Sequence, residues 1–209
     1  MAALLAALLL AAGPEPVAVR ASEALVPCVL AAGKAFQQAT GRAVAVEAGL
    51  RGGQPDVILA FGVEMTRAVE GGTAADGSEV RVARIPWVLS LPAGNPAGIH
   101  TLQDLDRDGL EVGVWAGPAA YEARRAVDGM RSARVREQED IDLLRRAPVA
   151  LVPLSIAGPG ERVKVDLPAL VAEAALARGA RHLDAARQLL RFLGSEDGQK
   201  AFASCGAAR

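Results

Sequence analysis

The stretch Leu183–Gly206, "LDAARQLLRFLGSEDGQKAFASCG", decides how the rest of the chain is read. It has the pattern of an amphipathic helix, a break at Gly194-Ser195, and a second short helix ending at a glycine. Two helices laid down so late raise the question of which body they complete, and an excursion through a second unit before a return to the first is the answer to be tested.

The bulk composition allows this. A chain of 209 residues suffices for one large domain or two small ones, and with 51% hydrophobic and 22% charged residues it can bury a core. The 23 basic and 24 acidic residues nearly cancel, and no Lys/Arg run marks a nucleic-acid face. Aromatic residues make up 3%, too few for a sugar- or base-stacking platform. The opening "MAALLAALLLAAG" (1–13) is an apolar run ending in small residues, followed by Pro14 and Pro16. That is the h-region and cleavage site of a secretory signal, although a basic n-region is missing; a buried N-terminal helix is the alternative. Cleavage is expected between about Ala12 and Val17, giving a periplasmic or secreted protein.

Working back from the tail, "VAVRA" is a short strand and a helix follows from Pro27. Val26, Val29, Leu30, Gly33 and Phe36 share one face of it, and Gly41 stops it. "RAVAVEAG" is a strand, "LRGGQP" a loop, "DVILAF" a buried strand and "EMTRAVEGG" a helix. This order, β-α-β-loop-β-α, is that of an open α/β sheet covered by helices. "RIPWVLSLPAGNPAGI" is a strand with a Pro/Gly turn, and "TLQDLDRDG" a short helix capped by Thr101. Strand, Gly-Pro turn and helix follow in "LEVGVWAGPAAYEARRAV", then a helix in "DIDLLRR", a strand in "VALVPLSIA", a turn in "GPGER", and a long apolar run before the tail.

No catalytic constellation is found: there is no G-x-S-x-G, H-E-x-x-H or P-loop, and no cofactor or metal is expected. His100 and His182 read as surface residues. Asp104, Asp106 and Asp108 lack the terminal glutamate of a calcium loop and read as caps and turn residues. Cys28 and Cys205 are either bridged or two buried thiols, which spacing does not decide.

Several segments, in order, resemble the periplasmic solute-binding proteins of ABC importers, and within them the type II, molybdate-binding-like group. "KAFQQATGRAVAVEAG" is similar to that family's first helix and second strand, and "PDVILAF" to its aspartate followed by a buried strand. "VARIPWVLSLPAGNPAGIHTLQDL" resembles the crossing into a second lobe. "DLPALVAEAALARG" and the tail resemble the return. The resemblance implies a two-lobed type II fold of mixed sheets flanked by helices, with two crossing hinge strands. Lobe one would be 14–85 plus 167–209 and lobe two 86–166. It brings Cys205 onto the lobe of the first helix, where a bridge becomes geometrically feasible. Between Gly49 and Asp56 only "LRGGQP" remains, so the family's helix and ligand-binding serine are absent there.

The implied function is capture of a small anion for an ABC permease by a monomer that is not an enzyme. A molybdate- or tungstate-like oxyanion is the first expectation and a small carboxylate the second. The alternative is a divergent member without small-ligand binding, acting as a periplasmic interaction module. Gly117 and Pro118 would open a helix with free N–H groups at Ala119, Ala120 and Tyr121, or form an ordinary β-α turn. Tyr121 would donate its hydroxyl or pack half-buried. Arg51 and the Gly52-Gly53 backbone would stand in for the lost serine, or Arg51 is a solvated loop residue. Ser22 and Ser155 sit where the two lobes would face the cleft.

Overall fold

The computed structural model of the chain describes residues 14–131 and 133–207; the expected leader over 1–13 lies outside them. Strand β1 (Val17–Ala21) alternates buried and half-buried residues, as the period of a strand covered on one face requires. It pairs in parallel with β2 (Val44–Ala48) and β3 (Val57–Phe61). β3 lies in the middle of its sheet and is buried at every position, which explains its unbroken apolar run. Helix α1 (Val26–Thr40) crosses from β1 to β2, with Pro27 in its first turn and Gly41 ending it at φ 73°. Of the expected core face, Val29, Gly33 and Phe36 are buried, joined by Cys28 and Ala32, whereas Leu30 is 55% exposed. Helix α2 (Gly62–Glu70) follows β3 directly, and β4 (Val80–Ile85) completes the outbound half.

The expected single strand through "RIPWVLSL" is two. Pro86 lacks the N–H that a ladder needs, so β4 ends at Ile85 and β5 (Trp87–Leu91) begins a different sheet. That sheet adds β6 (Glu111–Trp115), β7 (Arg134–Gln138), β8 (Val149–Pro153) and β9 (Glu161–Lys164), in the order β7-β6-β8-β5-β9. Short helices α3 (Tyr121–Val127) and α4 (Ile141–Arg146) connect its parallel members. "GPGER" is not wholly a turn, because Glu161 and Arg162 already pair with Leu91 and Ser90. The expected helix at "TLQDLDRDG" is only a 3-10 turn, Gln103–Leu105. Thr101 Oγ1 accepts the Asp104 N–H at 3.4 Å, and the Asp104 carboxylate in return accepts the backbone N–H groups of His100 and Thr101, chiefly that of His100, which hold its pKa at about 2.

The chain then returns. β10 (Leu170–Leu176) inserts antiparallel between β3 and β4, giving the first sheet the order β2-β1-β3-β10-β4. Both sheets are therefore mixed. The closing helices α5 (Leu183–Gly194) and α6 (Glu196–Ala203) pack on the first sheet and on α1. Leu189, Leu193 and Phe202 enter the main core, and Phe192 meets Phe36 edge-on at 5.5 Å. Ser195 accepts the Gly198 N–H at the start of α6, and Gln199 donates to Val82 O of β4 at 2.7 Å. Beyond α6, Cys205 forms a disulfide with Cys28 of α1, their Cα atoms 5.3 Å apart, so the cysteines are paired.

Asp56, 1% exposed, accepts the N–H of Ala18 at 3.0 Å and of His182 at 2.9 Å, and bonds the His182 ring at 3.1 Å. His182, expected on the surface, is half-buried and partnered; its other ring nitrogen meets the exposed Glu15 at 2.6 Å. Burial pushes the Asp56 carboxyl upward, but the bonds from Ala18 and His182 outweigh it and hold the group below its ordinary 3.8. The bonds to Asp56, then to Glu15, raise His182 above its ordinary 6.5.

Two stability predictions follow from these ties. Replacing both cysteines by alanine should cost about 2–5 kcal/mol, read from denaturant unfolding beside the parent under oxidising conditions. The Asp56 contribution is whole above pH 3.8 and fades as pH falls through its lowered folded value. The His182 contribution is whole below pH 6.5 and fades as pH rises through its raised folded value. Stability followed by melting temperature should therefore decline above pH 6.5, and His182→Gln should flatten that decline.

Candidate functional site

The parallel strands of both sheets release their chains toward one crevice, the place where open α/β sheets leave ligand sites. A cleft of about 680 Å³ opens there. Ser22 reaches it from the end of β1, Gly49 to Arg51 from the end of β2, and Glu64 and Arg67 from α2 after β3. Trp115, Gly117 and Pro118 border it from the end of β6, and Glu139 from the end of β7.

Glu64 is the buried charge of this cleft, 9% exposed. It stands third in α2 and reaches back to accept the Phe61 N–H at 3.3 Å, capping the helix start. The same oxygen, Oε2, accepts the Ser22 hydroxyl at 2.5 Å. Burial raises the Glu64 carboxyl above its ordinary value; the Ser22 and Phe61 bonds and the Arg67 charge offset part of that, while Glu23 adds to it. Arg51, Arg67, Glu23 and Glu139 are exposed, and among the described residues none of their side chains forms a hydrogen bond or an ion pair.

Trp115 forms the apolar wall. It meets Phe61 at 5.9 Å and Trp87 at 6.0 Å, joining the two sheets beneath the cleft. A Cβ on Gly117 would land inside the Trp115 indole, so glycine is required for the ring to lie where it does. Gly117→Ala should displace the ring and cost about 1–3 kcal/mol. A shifted tryptophan emission together with a lowered melting temperature would register both effects.

The expected site residues divide. Ser22, Arg51 and Gly117 line the one cleft. Gly52 does not; it turns at φ 81° against the Arg20 guanidinium, itself paired with Glu47 at 2.6 Å. Ala119 is half-buried and packs on the core. The Ala120 N–H, expected to be free, is bonded to Gly117 O at 2.9 Å, and α3 starts only at Tyr121. Tyr121 is 67% exposed and lies off the cleft lining. Ser155 is buried in a 3-10 turn after β8, its hydroxyl unpartnered among the described residues, and it does not reach the cleft. The sequence reading missed Glu64 and Arg67. The signal for Glu64 was a glutamate in the first turn of a helix that follows a buried strand.

Two mixed sheets flanked by helices, crossed twice by the chain and bordering a cleft, define the type II periplasmic-binding-protein class of fold. The model of the family described as bacterial extracellular solute-binding protein matches residues 17–207, and the chain belongs to that family. The periplasmic molybdate-binding protein of Azotobacter vinelandii superposes with a TM-score of 0.76 at 14% identity, over 92% of this chain and 99% of that one. The sulfate-binding protein SubI of Mycobacterium tuberculosis gives 0.75 at 19% identity, over 93% and 86%. Peb3 from Campylobacter jejuni gives 0.75 at 12% identity, over 92% and 99%. No curated protein sequence matches the chain. Among the described residues no helix is long and apolar enough to cross a membrane.

Proposed function

We propose that the chain, freed of residues 1–13 on export, captures a small anionic solute in this cleft and delivers it to an ABC permease. It acts as a monomer and catalyses no reaction. Lobe one, 14–85 plus 167–209, and lobe two, 86–166, would close on the solute about the crossings at Pro86 and residues 165–169. The observation that carries this reading is the pair of guanidinium groups, Arg51 and Arg67, that line the cleft without an ion-pair partner among the described residues.

Of the two ligand classes, the carboxylate is better supported than the tetrahedral oxyanion. A cage of neutral hydroxyls and backbone N–H groups would need Ser22, but its hydroxyl is already given to Glu64. A planar carboxylate instead suits the planar fork of an arginine. The named ligands of two structural neighbours, molybdate and sulfate, support an anionic solute in general terms.

A thermal-shift screen over oxyanions and small carboxylates tests the reading, since a solute held by both lobes raises the melting temperature. With the best hit, Arg51→Ala should weaken binding about tenfold or more by calorimetry, a loss near 1.4 kcal/mol. Arg162→Ala, on edge strand β9 and bonded to Gly158 O, should leave the affinity unchanged. Equal affinities would remove Arg51 from the site. No shift with any anion would favour the interaction-module alternative.

A further inference from the structure

The cleft is not charged as a receptor for a bare anion would be. Its lining carries Glu23, Glu64 and Glu139 against Arg51 and Arg67, three acidic groups to two basic ones. A helix cap explains one oxygen of Glu64 and no more. Both of its hydrogen bonds, from Ser22 and from Phe61, fall on Oε2, whereas Oε1 makes none among the described residues. Glu64 lines the cavity, so an acceptor with no donor is presented to whatever enters. A simple anion settling beside Ser22 would meet that carboxylate head-on.

We propose that Glu64 is the specificity determinant of the cleft, accepting a cationic hydrogen-bond-donating group of the solute, so that the solute is an amino-carboxylate zwitterion. The inference rests on the solute-capture reading above and narrows its solute from a plain anion to one that carries a carboxylate and an ammonium group together. The solute's ammonium group would face Oε1 of Glu64, and its carboxylate would face Arg51 and Arg67. Arg67 lies one turn of α2 beyond Glu64, so the two poles of recognition share a rigid helix. The cavity, about 680 Å³, is within the range of sites that hold organic ligands. Burial, which disfavours an unpaired Glu64 carboxylate, gives an incoming cation a further advantage over a neutral group.

The test is a titration followed by tryptophan emission and calorimetry, comparing glycine, β-alanine and 4-aminobutyrate with acetate, propionate and butyrate. The wild-type protein should bind at least one amino acid tenfold or more tighter than its counterpart without the amino group. Glu64→Gln keeps an acceptor for the Phe61 N–H, because glutamine serves at the same capping position. It should lose tenfold or more for the amino acid and change little for the plain carboxylate. A wild-type preference for the plain carboxylate, or an amino acid bound equally by both proteins, would overturn the proposal while leaving the solute-capture reading intact. The wild-type comparison alone decides it where Glu64→Gln does not fold. Absence of binding by every compound, molybdate and sulfate included, would overturn both readings together.

Discussion

The carboxylate of Asp56 holds the first sheet in register. Its side chain accepts the Ala18 and His182 N–H groups, its own N–H donates to Ala18 O at 2.7 Å, and its carbonyl accepts the Ala177 N–H at 3.0 Å. The start of β1, the head of β3, the end of β10 and the approach to α5 therefore meet at one residue. A buried carboxylate is tolerable only with such a full set of donors. The register it fixes, Val19 opposite Val57, carries along the strands to Ser22, whose N–H bonds Leu59 O. That alignment sets the Ser22 hydroxyl against Glu64. The charge pattern of the cleft is thus decided at the opposite end of the strands.

The short connection between β2 and β3 shapes the site as much as the residues do. It spans 49–56 without a helix, so Gly49, Leu50 and Arg51 turn directly into the cleft mouth. The left-handed glycines there, at φ 84°, 81° and 56° for Gly49, Gly52 and Gly53, allow so tight a path. Arg20, lying against Gly53 and paired with Glu47, braces the loop from outside the cleft.

The fold was legible where a segment answers to one period. β1 alternates, β3 is an unbroken apolar run, all of α1 but Leu30 keeps its stripe, and the amphipathic spacing of the closing helices marks them as packed on one face. What the sequence hid depends on neighbours. β7 reads as no element because it is an edge strand whose Arg134, Arg136 and Glu137 face water and break the apolar alternation. Pro86 was read as part of a strand because apolar residues flank it on both sides, though they belong to different sheets. His182 seemed superficial because its partner, Asp56, lies 126 residues away. Glu64 went unnoticed for a similar reason: its meaning comes from Ser22, 42 residues earlier, and from a burial that α2 alone does not predict. Gly117 was expected to open a helix, whereas its lack of a Cβ is what the Trp115 ring requires.

The Cys28–Cys205 bridge joins residues 177 apart, and the ring it closes contains the whole second sheet, both crossings and nearly all of the cleft. Tension applied to the two ends of the chain would pass through β1 and the first turn of α1, across the sulfur atoms, and out through the tail. The backbone between the two cysteines would be bypassed, and only β2 and β3, through their ladders to β1, would feel that load. Once β1 is stripped from its neighbours, the segment from Cys28 to Cys205 adds only the span of its disulfide to the extended length.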